Sequence, residues 1–181
     1  SAFTECRDIQ YTLRVLPTTE DKIKEALKWC DANYNENPKS VLKALLTFKN
    51  FLTDLGKQEY LCWTYMLIGD CYRNIGLVKY YISANRLLTL STSLFKTFRL
   101  HYGYGSSLLI LSDYANATIE FKRCLEFCQQ DQLNIYQPKC RIALSQVYYN
   151  LADYSESLEM LLAALNEALE LKQLSICSEC E

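Results

Sequence analysis

The chain has 181 residues, half of them apolar, with 19 basic and 21 acidic side chains for a formal net charge of −2. That composition can bury a substantial core but is only about one domain in length. With three Pro, five Gly, no Ser/Gly-rich stretch and no apolar run near the roughly 20 residues that span a bilayer, it argues against linkers and membrane spans. The opening residues Ser1 to Cys6 lack the basic-then-apolar order of a signal peptide and an initiator Met, so the chain is expected to be a fragment of a longer protein.

In chain order, Thr18-Thr19-Glu20-Asp21 after Pro17 predicts a helix start: Thr18 and Asp21 have capping-box spacing, and the acids favour a helix N-terminus. That helix is expected to reach about Tyr34. Asn35-Glu36-Asn37-Pro38 supplies a turn, and Ser40 is expected to cap a second helix carrying Val41, Leu45, Phe48 and Leu52 at helical spacing, which Gly56 ends. A helix from Tyr60 to Asn74 follows, with Gly69 at a close helix approach, Tyr72 one turn on and Gly76 as its breaker. Its partner is expected from Leu77 to about Leu94. The next pair runs from about Lys96 to Ser112 and from Tyr114 to Gln130. The last follows Pro138, turns at Leu151-Ala152-Asp153, and packs a stripe of Leu158, Leu161, Leu162 and Leu165 in a helix continuing past Leu171.

A pattern returns through these elements: Gly69-x-x-Tyr72-x-x-x-Gly76-x-Val78, then Gly105 with Asp113-Tyr114-x-x-Ala117, then Leu144 and Tyr148 with Asp153-Tyr154-x-x-Ser157. Matching these positions places units near 25–61, 62–97, 98–137 and 138–171, at intervals of 37, 36 and 40 residues. Such a period is the mark of stacked helical hairpins, each burying its apolar face against its neighbours. The expected fold is therefore all-α: a right-handed α-solenoid of about four antiparallel helix pairs in a single array. Ala44, Ala117 and Ser157 recur where a bulky side chain would hold paired helices apart, and Tyr81 departs from them. The apolar pattern at Leu174 and Ile176 has no polar capping helix, so the array is expected to continue in the parent protein or this end to self-associate.

Most of the nine cysteines, including Cys30, Cys62, Cys71, Cys124 and Cys140, fall on apolar helical positions. Reduced, buried thiols are expected, in cytoplasm or nucleus. Residues 73 to 149 carry nine Lys/Arg against four Asp/Glu, and residues 150 to 181 one Lys against seven acids; segregation of this kind steers partners. No catalytic constellation emerges. Cys177-x-x-Cys180 is one pair where a structural zinc site needs two, Gly103-Tyr104-Gly105-Ser106-Ser107 lacks the Lys-Ser/Thr ending of a phosphate loop, and Glu156 and Glu159 are surface carboxylates. No cofactor or metal is expected.

The repeated pattern resembles the tetratricopeptide repeat over residues 25 to 171, in the long and divergent form of cell-division and chromatin proteins. The stretches Ala84–Ser91, Gly105–Leu111 and Leu161–Leu169 are further similar to the helical region of the separase family and of its insect partner subunit Three rows, over residues 40 to 181. The protease chemistry of that family does not carry over, since His101 precedes Tyr102 where a Gly is needed and Cys177-Ser178 continues with Glu179. The resemblance implies a non-catalytic regulatory scaffold in sister-chromatid separation, with a securin-like inhibitor and a protease subunit as partners. In such arrays the first helix of each pair lines a concave face, which here displays Trp63, Asp70, Arg73, Asn74, Arg99, Tyr102, Lys139, Gln146, Tyr149 and Asn150. Amides can bond an extended peptide backbone, aromatics desolvate its side chains and Arg grips carboxylates or phosphates, so an acidic or phosphorylated segment is the expected ligand. The alternative is a nucleic acid bound along Arg73, Lys79, Arg86, Lys96, Arg99, Lys122, Arg123, Lys139 and Arg141.

Overall fold

A computed structural model describes residues 19–89, 92–130 and 132–180. All regular structure among them is helical. The chain divides between Thr92 and Ser93 into two compact units; Thr18, the proposed partner of Asp21 in a capping box, lies outside the described residues.

In the first unit, α1 (Thr19–Asn33) opens with Glu20 and Asp21, where negative charge meets the positive end of the helix dipole. Helix α2 (Pro38–Leu55) begins at the proline itself, after Asn37, with no side-chain cap. Ser40 is thus inside the first turn and is not the cap: Pro38 presets φ and has no N–H to satisfy. The helix ends at Gly56 in the left-handed conformation (φ 66°). Helix α3 (Gln58–Cys71) passes through a 3-10 turn, Arg73–Ile75, to Gly76 (φ 69°) and the short α4 (Lys79–Arg86). The sequence led us to expect α4 to reach about Leu94, but it stops at Arg86. Its last turn closes with the Leu87 N–H on the Ala84 carbonyl at 3.0 Å and the Leu88 N–H on that of Asn85 at 3.3 Å; beyond it Thr92 Oγ1 accepts the Thr89 N–H at 3.1 Å and Ser93 Oγ caps the next helix by accepting the Lys96 N–H at 3.2 Å, giving the backbone partners outside a continued helix.

The second unit comprises α5 (Leu94–Ile110), α6 (Tyr114–Cys128), a 3-10 turn (Asn134–Tyr136), α7 (Gln137–Asn150) and α8 (Tyr154–Cys180). Asp113 caps α6 by accepting the Asn116 N–H. The turns repeat one geometry. Ser112 and Ala152 have φ of 60° and 61°, and each is followed by an N–H bonded five residues back, Asp113 to Leu108 and Asp153 to Tyr148, both at 2.9 Å. This is the Schellman arrangement, and Gly76, Ser112 and Ala152 fall at the sequence repeat interval.

Paired helices run antiparallel, as descending contacts show: Cys62 with Ala84 and Gly69 with Tyr81 for α3 and α4, Phe98 with Cys124 and His101 with Glu120 for α5 and α6, Ser145 with Ser157 and Arg141 with Glu167 for α7 and α8. Small residues set the spacing. A Cβ on Gly69 would lie 2.8 Å from the Tyr81 ring and one on Gly105 2.9 Å from that of Phe121. Ala117 and Ser157 are buried, and the Ser157 hydroxyl bonds the Ser145 carbonyl at 2.8 Å. The bulky Tyr81 is thus accommodated by Gly69, and α4 packs closely there.

One expectation fails. Leu158, Leu161, Leu162 and Leu165 do not pack; each is about half exposed, because α8 turns its other face, Ser157, Ala164 and Glu167, toward α7.

The turns yield a paired prediction. Gly56→Ala meets no atom within 4 Å, so only backbone strain acts, about 1 kcal/mol. Ala152→Gly relieves strain of the same kind and should stabilise by up to about 1 kcal/mol, less the added entropy of the unfolded chain. Urea midpoints that move in the same direction for both variants would show that these turns are not left-handed.

Candidate protein-interaction surface

The predicted site residues fall in both units. In the first, Trp63 is half-buried against the core of Leu27, Leu45 and Leu67, and Asn74 is exposed in the 3-10 turn. Arg73 is committed internally: its guanidinium meets Asp70 Oδ1 at 2.6 Å and donates to the Tyr81 hydroxyl at 3.3 Å, and that hydroxyl donates to Asp70 Oδ1 at 2.5 Å. Asp70 and Tyr81 are buried. Burial and the adjacent Asp70 carboxylate push the Tyr81 phenol well above its ordinary range, so it stays a donor.

In the second unit the predicted residues converge on one face formed by α5 and α7. Arg99 and Tyr102 lie one turn apart on α5, both half-buried. The Tyr102 ring packs against Phe98 and Phe121, with centroids 6.0 and 5.7 Å away, and Lys139 Nζ of α7 stands 4.7 Å from its centroid, within cation–π range. From Lys139 an exposed stripe continues along α7 at helical spacing through Ile142, Gln146, Tyr149 and Asn150. Asn150 Nδ2 donates to the Gln146 carbonyl at 2.7 Å. Tyr149 is 64% exposed and meets Tyr154 edge-on at 5.4 Å. One turn before Arg99, Phe95 lines a cleft of about 560 Å³ with Leu94, Leu133, Ile135 and Tyr136 at the start of α5.

Beneath this face lies a cluster the sequence reading missed. Glu120 is buried; its carboxylate meets His101 Nδ1 at 2.5 Å and Arg123 at 2.9 Å, and the His101 ring stacks on Phe127 at 5.6 Å. Each unit therefore stitches two helices with a buried carboxylate that carries an Arg three residues on, Asp70 with Arg73 and Glu120 with Arg123. That spacing was the available signal. Arg141 is likewise paired, with Glu167. Arg73, Arg123 and Arg141 of the basic middle are thus paired with acids within the fold.

Cys30, Cys128 and Cys140 are structural thiols. Cys128 and Cys140 Sγ lie 3.5 Å apart in the core. Burial pushes Cys30 up to about 12, and the neighbouring Cys124 thiol together with burial takes Cys140 up to about 12, so both are protonated at neutral pH and poor nucleophiles or ligands. Among the described residues no group of three or more His, Cys, Asp or Glu side chains could hold a metal ion, and no helix is long and apolar enough to cross a membrane. Set beside known proteins, the chain matches no family model and no curated protein.

Proposed function

We propose that the chain is a non-catalytic protein-interaction scaffold, a stretch of TPR-like α-solenoid whose α5/α7 face takes an extended acidic segment. The observation that carries this is Lys139 held over Tyr102 at the head of an exposed stripe of Ile142, Gln146, Tyr149 and Asn150. A cation fixed on an aromatic gives a carboxylate a positioned partner, the amides serve an extended backbone, and Ile142 and Tyr149 shield side chains from water. The resemblance to the separase helical region makes a securin-like inhibitor the specific form of this ligand, bound within a complex that acts in chromosome segregation. The buried carboxylates have a structural use under this reading, each joining two helices of its unit.

Binding of short Glu/Asp-rich fluorescent peptides with one aliphatic anchor, followed by anisotropy, tests the proposal. Lys139→Glu should weaken binding about tenfold or more without altering the fold, since Lys139 is exposed. Equal affinity for the variant would remove this face as the site. Preference for a single-stranded oligonucleotide, with affinity collapsing as salt rises, would replace the peptide by nucleic acid.

A further inference from the structure

Helix α8 carries two faces, and among the described residues one of them packs within the fold. Toward α7 it presents Ser157, Ala164 and Glu167. On the opposite side Leu158, Leu162, Leu165 and Leu169 are 56, 51, 55 and 50% exposed, with Leu161 at 45% beside them. Their spacing of four, three and four residues is that of a coiled-coil seam, carried here with no partner among the described residues. Helix α8 also has 27 residues against 14 in α7. Since Glu167 already reaches Arg141 in the first turns of α7, the part of α8 past Leu171 overhangs its neighbour.

We infer that this face pairs with the same face of a second copy of the chain, α8 against α8 in antiparallel register. The seam is palindromic in spacing. A two-fold axis at its centre sets Leu158 opposite the partner's Leu169 and Leu162 opposite the partner's Leu165, so every leucine meets a leucine and the interface is isologous. The flanks fit the same register. Leu161 falls against the partner's Ala168, a large side chain beside a small one, and Glu159 faces no like charge. Lys172, the single cation of α8, lies on the overhang and comes opposite the partner's Ser155, next to Glu156 and one turn from Glu159. A basic side chain in an otherwise acidic helix thereby meets the acids of the other copy. Ten half-exposed leucines from two copies offset the entropy of association to the extent of a dimer in the micromolar range.

Multi-angle light scattering and sedimentation of the full chain across about 1 to 100 μM test this. A concentration-dependent shift from monomer to dimer is expected. Leu162→Glu with Leu165→Glu should abolish it with far-UV circular dichroism unchanged, since both side chains are already exposed in the monomer. Lys172→Glu should weaken dimerisation about fivefold, and adding Glu156→Lys to it should restore most of that loss. A monomer at every concentration, or a dimer that survives the double leucine variant, overturns the proposal. Failure of the charge swap to restore binding overturns the antiparallel register.

Discussion

Tyr81→Ala is expected to destabilise the first unit by about 3 to 5 kcal/mol, the range for emptying a buried aromatic site. The side chain has no exposed surface, its ring lies where a Cβ on Gly69 would go, and its hydroxyl serves a carboxylate buried between helices. Tyr81→Phe keeps the ring and removes only the donor, leaving Asp70 with Arg73; about 1 to 3 kcal/mol should be lost. Gly69 makes the argument testable from the other side. In the native background Gly69→Ala forces a rigid, buried ring to move and should cost about 1 to 3 kcal/mol, despite the roughly 1 kcal/mol that Ala gains over Gly within a helix. In the Tyr81→Ala background the same methyl enters an empty space and the helix preference acts alone, so the sign should reverse. Urea unfolding with hydrogen exchange of the α3 amides measures both arms of this cycle. Additive effects of the two substitutions would mean that Gly69 and Tyr81 do not touch.

How much of this was legible in the sequence depended on the kind of signal. Turn spacing was legible because Gly76 and the acids after Ser112 and Ala152 mark the same backbone event, and the positive φ values recur at those positions. Gly69 is legible as a close approach, since few other reasons place a glycine mid-helix, and the Tyr81 ring lies against it. The early end of α4 was not read, because apolar residues continue to Leu90 and only the hydrogen bonds of Thr92 and Ser93 reveal the competing loop. Periodicity predicts a packed stripe of Leu158, Leu161, Leu162 and Leu165, but it identifies an apolar face and not whether anything covers it. On the candidate face, the stripe from Lys139 to Asn150 followed from helical spacing. The contact of Lys139 with Tyr102 joins two helices separated by a third and required the fold. Arg73 had the right residue type, but its buried neighbours Asp70 and Tyr81 claim it.

Raising the pH is expected to unfold the protein well before peptide chemistry intervenes. Cys30 and Cys140 are 1% and 0% exposed and hold their protons to about 12, Cys30 chiefly by burial and Cys140 chiefly through the neighbouring Cys124 thiol, whereas unfolded thiols ionise at about 8.5 to 9. Cys71, raised by burial to about 11, follows the same rule. A group whose folded value is raised favours the folded state fully below its unfolded value, and that contribution is lost as pH climbs toward the folded value, because only the unfolded chain releases the proton. Stability should therefore be insensitive to these thiols up to pH about 8 and fall from about 9 upward. At pH about 11, Cys30 and Cys140 each account for about 2 to 3 kcal/mol at 1.36 kcal/mol per pH unit. Together they remove a large part of the roughly 5 to 15 kcal/mol typical of a domain. Urea midpoints measured from pH 7 to 11 should show this slope, and Cys30→Ala, though less stable at neutral pH, should show a shallower one. A flat profile to pH 11 would mean that the thiols reach water and that the helix pairs around Cys30 and Cys140 are not packed as described.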